Sequence, residues 1–246
     1  FCVMRRWWSS TPGSRPSSCC AMLTAVRPRC FQRFFTAPTC LQRSLELGIV
    51  LDRFTPDEGF VSGWRRWTAS TLAIVSLRRV LPEFTVPAFK DIAASKFNEV
   101  GAALATADVS TLRQLTTPSC FQAMKASLSA RPKGQRHRWH SLRTEARIKQ
   151  VRIGHNASSL DLKFVQVTVE MDAQLIWQIR GAKGEMIGGA GDESNPFRAN
   201  DYWVFERCLS EGVDRSAAWR LKERLDIAVP KGADSPTDKA NQVGTE

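Results

Sequence analysis

The sequence predicts an α+β fold: N-terminal helices packed on a strongly curved antiparallel sheet, with an extended N-terminal arm and a C-terminal tail. Three observations carry that reading. Apolar residues recur every three or four positions between Phe89 and Leu128. Beyond the basic run "ARPKGQRHRWHSLR" the apolar period falls from near 3.6 to 2. Within the second half the alternation slips by one residue, from Leu160, Leu162 and Phe164 to Val165, Val167, Val169 and Met171. A period of 3.6 marks a helix with one buried face and a period of 2 marks a strand. A phase slip inside a strand is the signature of a bulge, which bends a sheet.

The helices have starts as well as stripes. Phe89, Ile92, Ala93, Phe97, Val100 and Leu104 share one face, with Thr85 just before the start and Pro87 in the first turn. Asp108 and Ser110 are placed to cap a second, short helix carrying Leu112 and Leu115. Thr117-Pro118 opens a third, with Phe121, Met124 and Leu128 on one face, because proline suits a first helical position whose donor has no partner anyway.

About five strands follow. Ile148, Val151 and Ile153 mark the first, and "GHNASS" a turn. The slipped run 160–171 is the second, and Leu175, Trp177 and Ile179 a third. The glycine-rich stretch "GAKGEMIGGAGDESNP" lacks Gly-Lys-Ser/Thr and leads into a strand, so it is not a phosphate-binding loop of the nucleotide type. In the strand after it, Tyr202, Val204 and Glu206 face one way and Trp203, Phe205 and Arg207 the other. Trp219, Leu221 and Leu225 alternate against Arg220, Lys222 and Arg224 in the last.

Four regions result: a basic arm at 1–62, a basic, apolar helical connector at 63–82, the α+β domain at 83–229 and a polar tail at 230–246. Formal net charge is +11 and the isoelectric point 9.7, which favours an anionic partner, nucleic acid or membrane. The first 45 residues hold seven arginines and no lysine or acidic residue. That Arg-rich, Ser-rich, acid-poor composition matches a mitochondrial transit peptide; the other reading is an ordinary basic arm. The seven cysteines include no C-x-x-C pair and no Cys-His grouping at zinc spacing, so no metal site is expected. The longest apolar stretch, Trp67 to Leu77, is far short of a membrane span.

Two surfaces stand out. The first is Arg131, Lys133, Arg136, Arg138 and Arg143 with Trp139 among them, expected in a linker between helix and sheet. Cations there hold phosphates and the indole offers a face for an unstacked base; the alternative is a solvated loop with Trp139 tucked into the core. Arg5, Arg6, Arg15, Arg27, Arg29 and Arg33 extend the RNA-binding set into the arm. The second is the connector, where Trp64, Arg65, Arg66, Trp67, Arg78 and Arg79 are the membrane-facing candidates; the alternative is a core helix with solvated ends. His155, Asp161 and Tyr202 are the best catalytic candidates, but nothing in the sequence brings them together, so no enzyme activity, cofactor or small-molecule substrate is expected.

The segments "FNEVGAALATADVSTLRQLTTPSCFQAMK", "FVQVTVEM" and "DYWVFER … WRLKERL" resemble the C-terminal domain of subunit 44 of the mitochondrial inner-membrane import translocase, a domain shared with a protein of the mitochondrial large ribosomal subunit. The resemblance covers about Phe84 to Val229 and is most specific in the closing strands. It implies a cone of helices against a curved sheet, related to nuclear-transport-factor-2-like folds. The import branch carries a long charged coiled-coil-like region before the domain. Here residues 46–82 are short and interrupted by Gly48, Pro56, Gly59, Gly63 and Pro82. The resemblance together with the basic arm therefore implies a structural component of the mitochondrial large ribosomal subunit. Its partners would be large-subunit rRNA, other mitochondrial ribosomal proteins, and the inner membrane or its insertase. An inner-membrane import-motor or ribosome-receptor protein is the alternative, and an isomerase on the same fold the second alternative.

Overall fold

A computed structural model describes residues 46–56, 59–156, 162–210 and 218–227. The arginines of the arm named above, Asp161 and the polar tail lie outside the described residues.

Four helices come first: α1 (Phe60–Val80), α2 (Val86–Thr106), α3 (Val109–Leu115) and α4 (Pro118–Ser129). The Thr85 hydroxyl accepts the Ala88 N–H at 3.3 Å and so starts α2, whose end falls at Ala107 in the left-handed region. The next residue, Asp108, caps α3 by accepting from the N–H groups of Ser110 and Thr111 at 3.0 and 3.2 Å. Bonds from the Ser110 and Thr111 hydroxyls and the Thr111 amide hold its carboxyl down at about 2. Pro118 stands at the first position of α4.

Five strands follow: β1 (Arg136–Asn156), β2 (Leu162–Arg180), β3 (Met186–Ala190), β4 (Phe197–Cys208) and β5 (Arg220–Leu225). They form one open antiparallel sheet in the order β1-β2-β4-β5, with β3 paired to the far end of β2. This is the expected α+β architecture.

The inner face of the sheet packs on the helices. Val165, Val167, Val169 and Met171 of β2 and Trp203 and Phe205 of β4 join Phe89, Phe97 and Val100 of α2 in the main core. Ring contacts order it: Phe97 lies 4.8 Å from Trp203, and Phe89 4.6 Å from Trp219. Each buried ring contributes about 2–3 kcal/mol.

The outer face is covered by the chain itself. Residues 46–56, expected as part of the arm, cross it as a strap. Leu47 packs with Leu162 and Phe164, and Phe54 packs with Val204 and Leu225. The Leu47 and Leu51 N–H groups donate to Glu206 and Gln166 at 3.1 and 2.7 Å, and Gln166 donates to the Ile49 carbonyl at 2.8 Å. Arg152 of β1 grips Asp52 at 2.7 Å. At Gly154 a Cβ would come within 2.6 Å of the Leu51 side chain, so a larger residue there would push that side chain aside.

The strap corrects the reading of the phase slip. Phe164 and Val165 are both buried because they face different coverings, strap and helices. β2 runs through the slip in unbroken register with β4, and the expected second and third strands are one strand of 19 residues. The bulges lie opposite, in β1, where Leu142 and Lys149 are the extra residues. A further bulge at Lys222 of β5 breaks the expected alternation: Trp219 and Leu221 face the helices, whereas Leu225 faces the strap. The glycine-rich stretch also contains β3, which was not expected.

Both edges of the ladder are met by other parts of the chain. The Ser70 hydroxyl of α1 accepts the Val151 N–H of β1 at 3.2 Å, and Thr117 donates to the Leu221 carbonyl of β5 at 2.9 Å. Such cover removes unpaired strand groups.

Glu46 anchors the strap at β5. It pairs with Lys222 at 3.2 Å and accepts from the Ser119 amide at the start of α4 at 3.2 Å. The Lys222 side chain is only 4% exposed. Burial alone would raise the Glu46 carboxyl, but the Ser119 amide, the Lys222 charge and the Ser119 hydroxyl outweigh it and hold the carboxyl below its ordinary value. A depressed carboxylate stabilises the fold above its unfolded pKa, and that stability is lost as pH falls through the folded value. Glu46→Ala is expected to cost about 3 kcal/mol by stranding a buried ammonium. In urea unfolding its acid dependence should be shallower than that of the wild type, and Glu46→Ala/Lys222→Met should recover most of the loss. A neutral Glu46→Ala would refute the anchor.

Candidate nucleic-acid interface

The basic run divides at the start of β1. Residues 131–135 form a turn, and from Arg136 onward the expected linker is strand, paired from Arg136↔Arg180 through His140↔Ile176. Period-two alternation sends its side chains to opposite faces. Arg136, Arg138 and His140 share the outer face, and His137 and Trp139 the inner.

Trp139 is thereby corrected as a base-stacking candidate. Its ring packs 5.7 Å from Phe97, and its indole lies where a Cβ on Gly101 of α2 would stand. The indole is a packing element between β1 and α2. His137 and His140 point to opposite faces. Burial and the nearby Arg131 charge lower the pKa of His137 and so disfavour its charged form. Among the described residues no three His, Cys, Asp or Glu side chains come together as a metal site.

Neighbouring turns enlarge the basic end of the sheet. Ala182 lies against Gly134, so the turn at 181–184 is beside the turn at 131–135. Each carries a Lys-Gly pair, Lys133-Gly134 and Lys183-Gly184, with both glycines at φ 85°. A φ in that range suits glycine because no Cβ clashes. Arg131, Lys133, Arg136, Arg138, Arg180 and Lys183 thus gather at one end of the sheet, and among the described residues none of the six has a carboxylate within salt-bridge distance. All but Arg131 are exposed. The sequence reading missed Arg180 and Lys183. Their signal was the echo of "PKGQ" in "AKGE", legible only once β1 and β2 are known to pair.

Further along the outer face the cations are paired. Arg143, one of the expected RNA contacts, is held by Glu145, which Arg147 also approaches at 3.4 Å. Arg198 binds Asp172 at 2.6 Å and Lys149 binds Glu170 at 2.9 Å. Glu170 is buried, which alone would raise it, but Lys149, Asn200 and Tyr202 together hold its carboxyl below the ordinary value. Among the described cations of β1 and its neighbouring turn residues, those without a carboxylate partner are at the two turns.

The connector candidates lie on α1. Leu77, Ser70, Ala73 and Ile74 face the domain. Phe60 at 89%, Trp64 at 57%, Trp67 at 60% and Leu72 at 68% exposure remain open to solvent, Trp67 beside Ser70 and Ile74 at the edge of the domain-facing side, and the two indoles lie 5.1 Å apart. Arg65, Arg78 and Arg79 are exposed, while Arg66 lies over the Phe54 ring at 4.7 Å. Among the described residues no helix is long and apolar enough to cross a membrane.

The catalytic candidates are not assembled. Tyr202 opposes Glu170 on the outer face and stacks on Phe54 at 5.2 Å. His155 opposes Lys163 at the far end of β1, seven residues away along β2 and on the other face, a separation of about 24 Å.

Helices on one face of an open, curved antiparallel sheet, with the last two strands carrying the aromatic core, define a helix-on-sheet domain of the nuclear-transport-factor-2-like kind. The Tim44-like domain matches residues 70–225, and the chain belongs to that family. The match begins inside α1, so the second half of the connector helix lies within the family domain. No curated protein matches the chain. Among solved structures, the intermembrane space region of the chloroplast protein ARC6 is similar at 12% identity and a TM-score of 0.39, covering 60% of this chain and 100% of that one. The putative transfer protein TraH of a Gram-positive conjugative plasmid is similar at 9% identity and a TM-score of 0.27, covering 61% and 98%.

The packing of Trp139 is testable. A Cβ on Gly101 would fall 2.3–2.7 Å from indole atoms. Gly101→Ala should therefore destabilise the domain by about 1–3 kcal/mol through overpacking. Trp139→Phe should leave RNA affinity unchanged. A loss of RNA binding in Trp139→Phe with unchanged stability would return the indole to the interface.

Proposed function

We propose that the chain is a structural component of the mitochondrial large ribosomal subunit, the counterpart of large-subunit ribosomal protein 45. It binds rRNA and neighbouring ribosomal proteins near the polypeptide exit site, at the inner membrane, and supports mitochondrial translation. Tim44-like domains are associated with mitochondria, with membrane-associated import and with ribosome-related roles. The observation that favours RNA is the cluster of six cations without carboxylate partners, on a chain of net charge +11. Cations held apart from carboxylates are available to phosphates, and each phosphate contact releases counterions. The protein acts by binding, with no small-molecule substrate and no cofactor.

A second reading, an inner-membrane import or ribosome-receptor protein, is favoured by one feature of α1. Trp64 and Trp67 are exposed beside Arg65, with Arg78 and Arg79 at the other end of the helix. Tryptophans favour the membrane interface and arginines attract anionic headgroups. The two readings are compatible where a ribosome meets a membrane.

Two measurements test the proposal. In sucrose gradients of mitochondrial lysate the protein should migrate with the large subunit through moderate salt and leave it after RNase. Recovery as a free protein, or only with an import channel, would overturn the ribosomal reading. In vesicle flotation, Trp64→Ala/Trp67→Ala should weaken binding to cardiolipin-containing liposomes several-fold. Equal flotation of variant and wild type would remove α1 as the membrane contact.

A further inference from the structure

The end of the β1–β2 ladder contains an arrangement that is unfavourable in the free chain. Arg136 and Arg180 are direct cross-strand partners on the outer face. Like charges placed opposite each other in an antiparallel pair repel. Among the described residues no carboxylate lies within salt-bridge distance of either. Elsewhere on the same face the sheet does pair its arginines: Arg198 with Asp172, Arg143 with Glu145. The glycine turns at either side add Lys133 and Lys183, and Arg138 follows Arg136 on the same face. The nearby acid, Glu185, turns its carboxylate toward Gly181, where a Cβ would come within 2.0 Å of its Oε1.

We propose that the two Lys-Gly turns and the Arg136–Arg180 pair form a phosphate clamp that takes the phosphodiester backbone of an RNA strand on the outer face of the sheet. The inference rests on the RNA reading above and names the part of the surface that carries it, including two residues outside the basic run. An anion between Arg136 and Arg180 converts their repulsion into two charge-assisted hydrogen bonds. The file Arg138, Arg136, Lys133 follows the strand into its turn, with Arg138 and Arg136 about 6.7 Å apart. A linear file of cations suits a polymer with regularly repeated charge. Trp139 points to the other face, so the cation file offers no indole for stacking; its outer-face neighbours are His140 and Gln178. Phosphate contacts of this kind position an RNA strand and carry no sequence information themselves.

An anionic membrane is the competing occupant, and the geometry disfavours it. The exposed indole of Trp67 lines a groove with Arg147 and Lys149. Arg147 opposes Glu170, ten residues along β2 from Arg180, which is about 35 Å of strand. The helix face suited to a bilayer and the clamp are at separate places on the molecule.

The test uses the full chain, a short oligouridylate, an RNA duplex and vesicles of phosphatidylcholine with cardiolipin. Affinity is measured against salt concentration for the wild type, Arg180→Ala/Lys183→Ala and Arg78→Ala/Arg79→Ala. The two variants lose the same formal charge. The clamp variant should bind oligouridylate about tenfold more weakly at low salt, with its log–log salt slope reduced by about 1.4, from two lost contacts at about 0.7 each. The α1 variant should keep the RNA slope and lose vesicle binding instead. Without RNA, the clamp variant should be at least as stable to urea as the wild type, because a like-charge pair has been removed. Should it be less stable, Arg180→Gln/Lys183→Gln applies the same test with side chains of similar size.

Equal RNA losses in both variants would overturn the clamp in favour of diffuse attraction. Vesicle binding lost by the clamp variant while RNA binding holds would assign the site to lipid. Unchanged RNA slope in the clamp variant refutes the clamp and leaves the RNA reading standing. A wild type that binds no RNA refutes both.

Discussion

Burial of both faces of β2 and β4 is the constraint on which the rest of the structure depends. One face is covered in the ordinary way, by aromatic and branched side chains packed on α2. The other would be open in a two-layer α+β domain, and here residues 46–56 cover its lower half. Two coverings make β2 apolar on both parities near Phe164 and Val165. They also pin the register, because a slip of one residue would exchange the side chains meant for helices with those meant for the strap. The run Tyr202-Trp203-Val204-Phe205 follows from the same demand: Trp203 and Phe205 fill the helical side, and Tyr202 and Val204 meet Phe54.

The strap is held by polar handles as well as by apolar contacts. Leu47, Phe54 and their neighbours form two small clusters, while Gln166, Glu206, Gln150 and Lys222 bind strap groups. Glu206 and Glu46 respond differently to their settings. Burial pushes the Glu206 carboxyl up, against the bond from Gln166, the Lys222 charge and the Leu47 amide. At Glu46 the partners prevail and the carboxyl is held down. Removing a strap residue therefore leaves a buried polar group without its partner, which costs more than the bond itself contributes. This makes the docked position specific as well as stable. It also accounts for the buried polar residues Gln150, Gln166 and Glu206 on the outer face, each of which bonds a strap group.

Much of this was legible in the sequence, and what was not has a common physical origin. Helix starts were readable because capping is local: Thr85, Asp108 and Pro118 act on the next few residues. Face assignment in β4 was readable because alternation is local too. The strap was not, since Leu47, Gly48, Ile49 and Leu51 show no period and their partners are more than a hundred residues away. Missing the strap turned a two-faced strand into an inferred bulge. The true bulges, at Leu142, Lys149 and Lys222, leave only a charged or solitary apolar residue out of step. The basic run was recognised by composition, but its division into turn and strand depends on β2, and so do the positions of Arg180 and Lys183. Trp139 was read as an alternative between stacking and packing; Gly101, the residue that decides it, is on another element.

β1 connects these features. At one end it carries bare cations beside two glycine turns; farther along, its arginines and Lys149 are matched to Glu145 and Glu170; at the other end it donates to Ser70 of α1 and to Asp52 of the strap. Charge is neutralised along the middle of the strand and left without carboxylate partners at the end beside the two turns. In the proposed setting that gradient fixes orientation. The phosphate-binding end is directed to RNA while α1, lying against the other end, exposes Trp64 and, at the rim of its groove with β1, Trp67. Strand length then sets the spacing between a nucleic-acid contact and a membrane contact. A long, rigid, hydrogen-bonded strand holds that spacing better than a loop of equal length, because each residue of β1 from Arg136 to Asn156 is tied to β2 apart from its bulges. In that setting such a strut does for two binding surfaces what a preorganised pocket does for a substrate: it holds them at a fixed separation before either partner arrives.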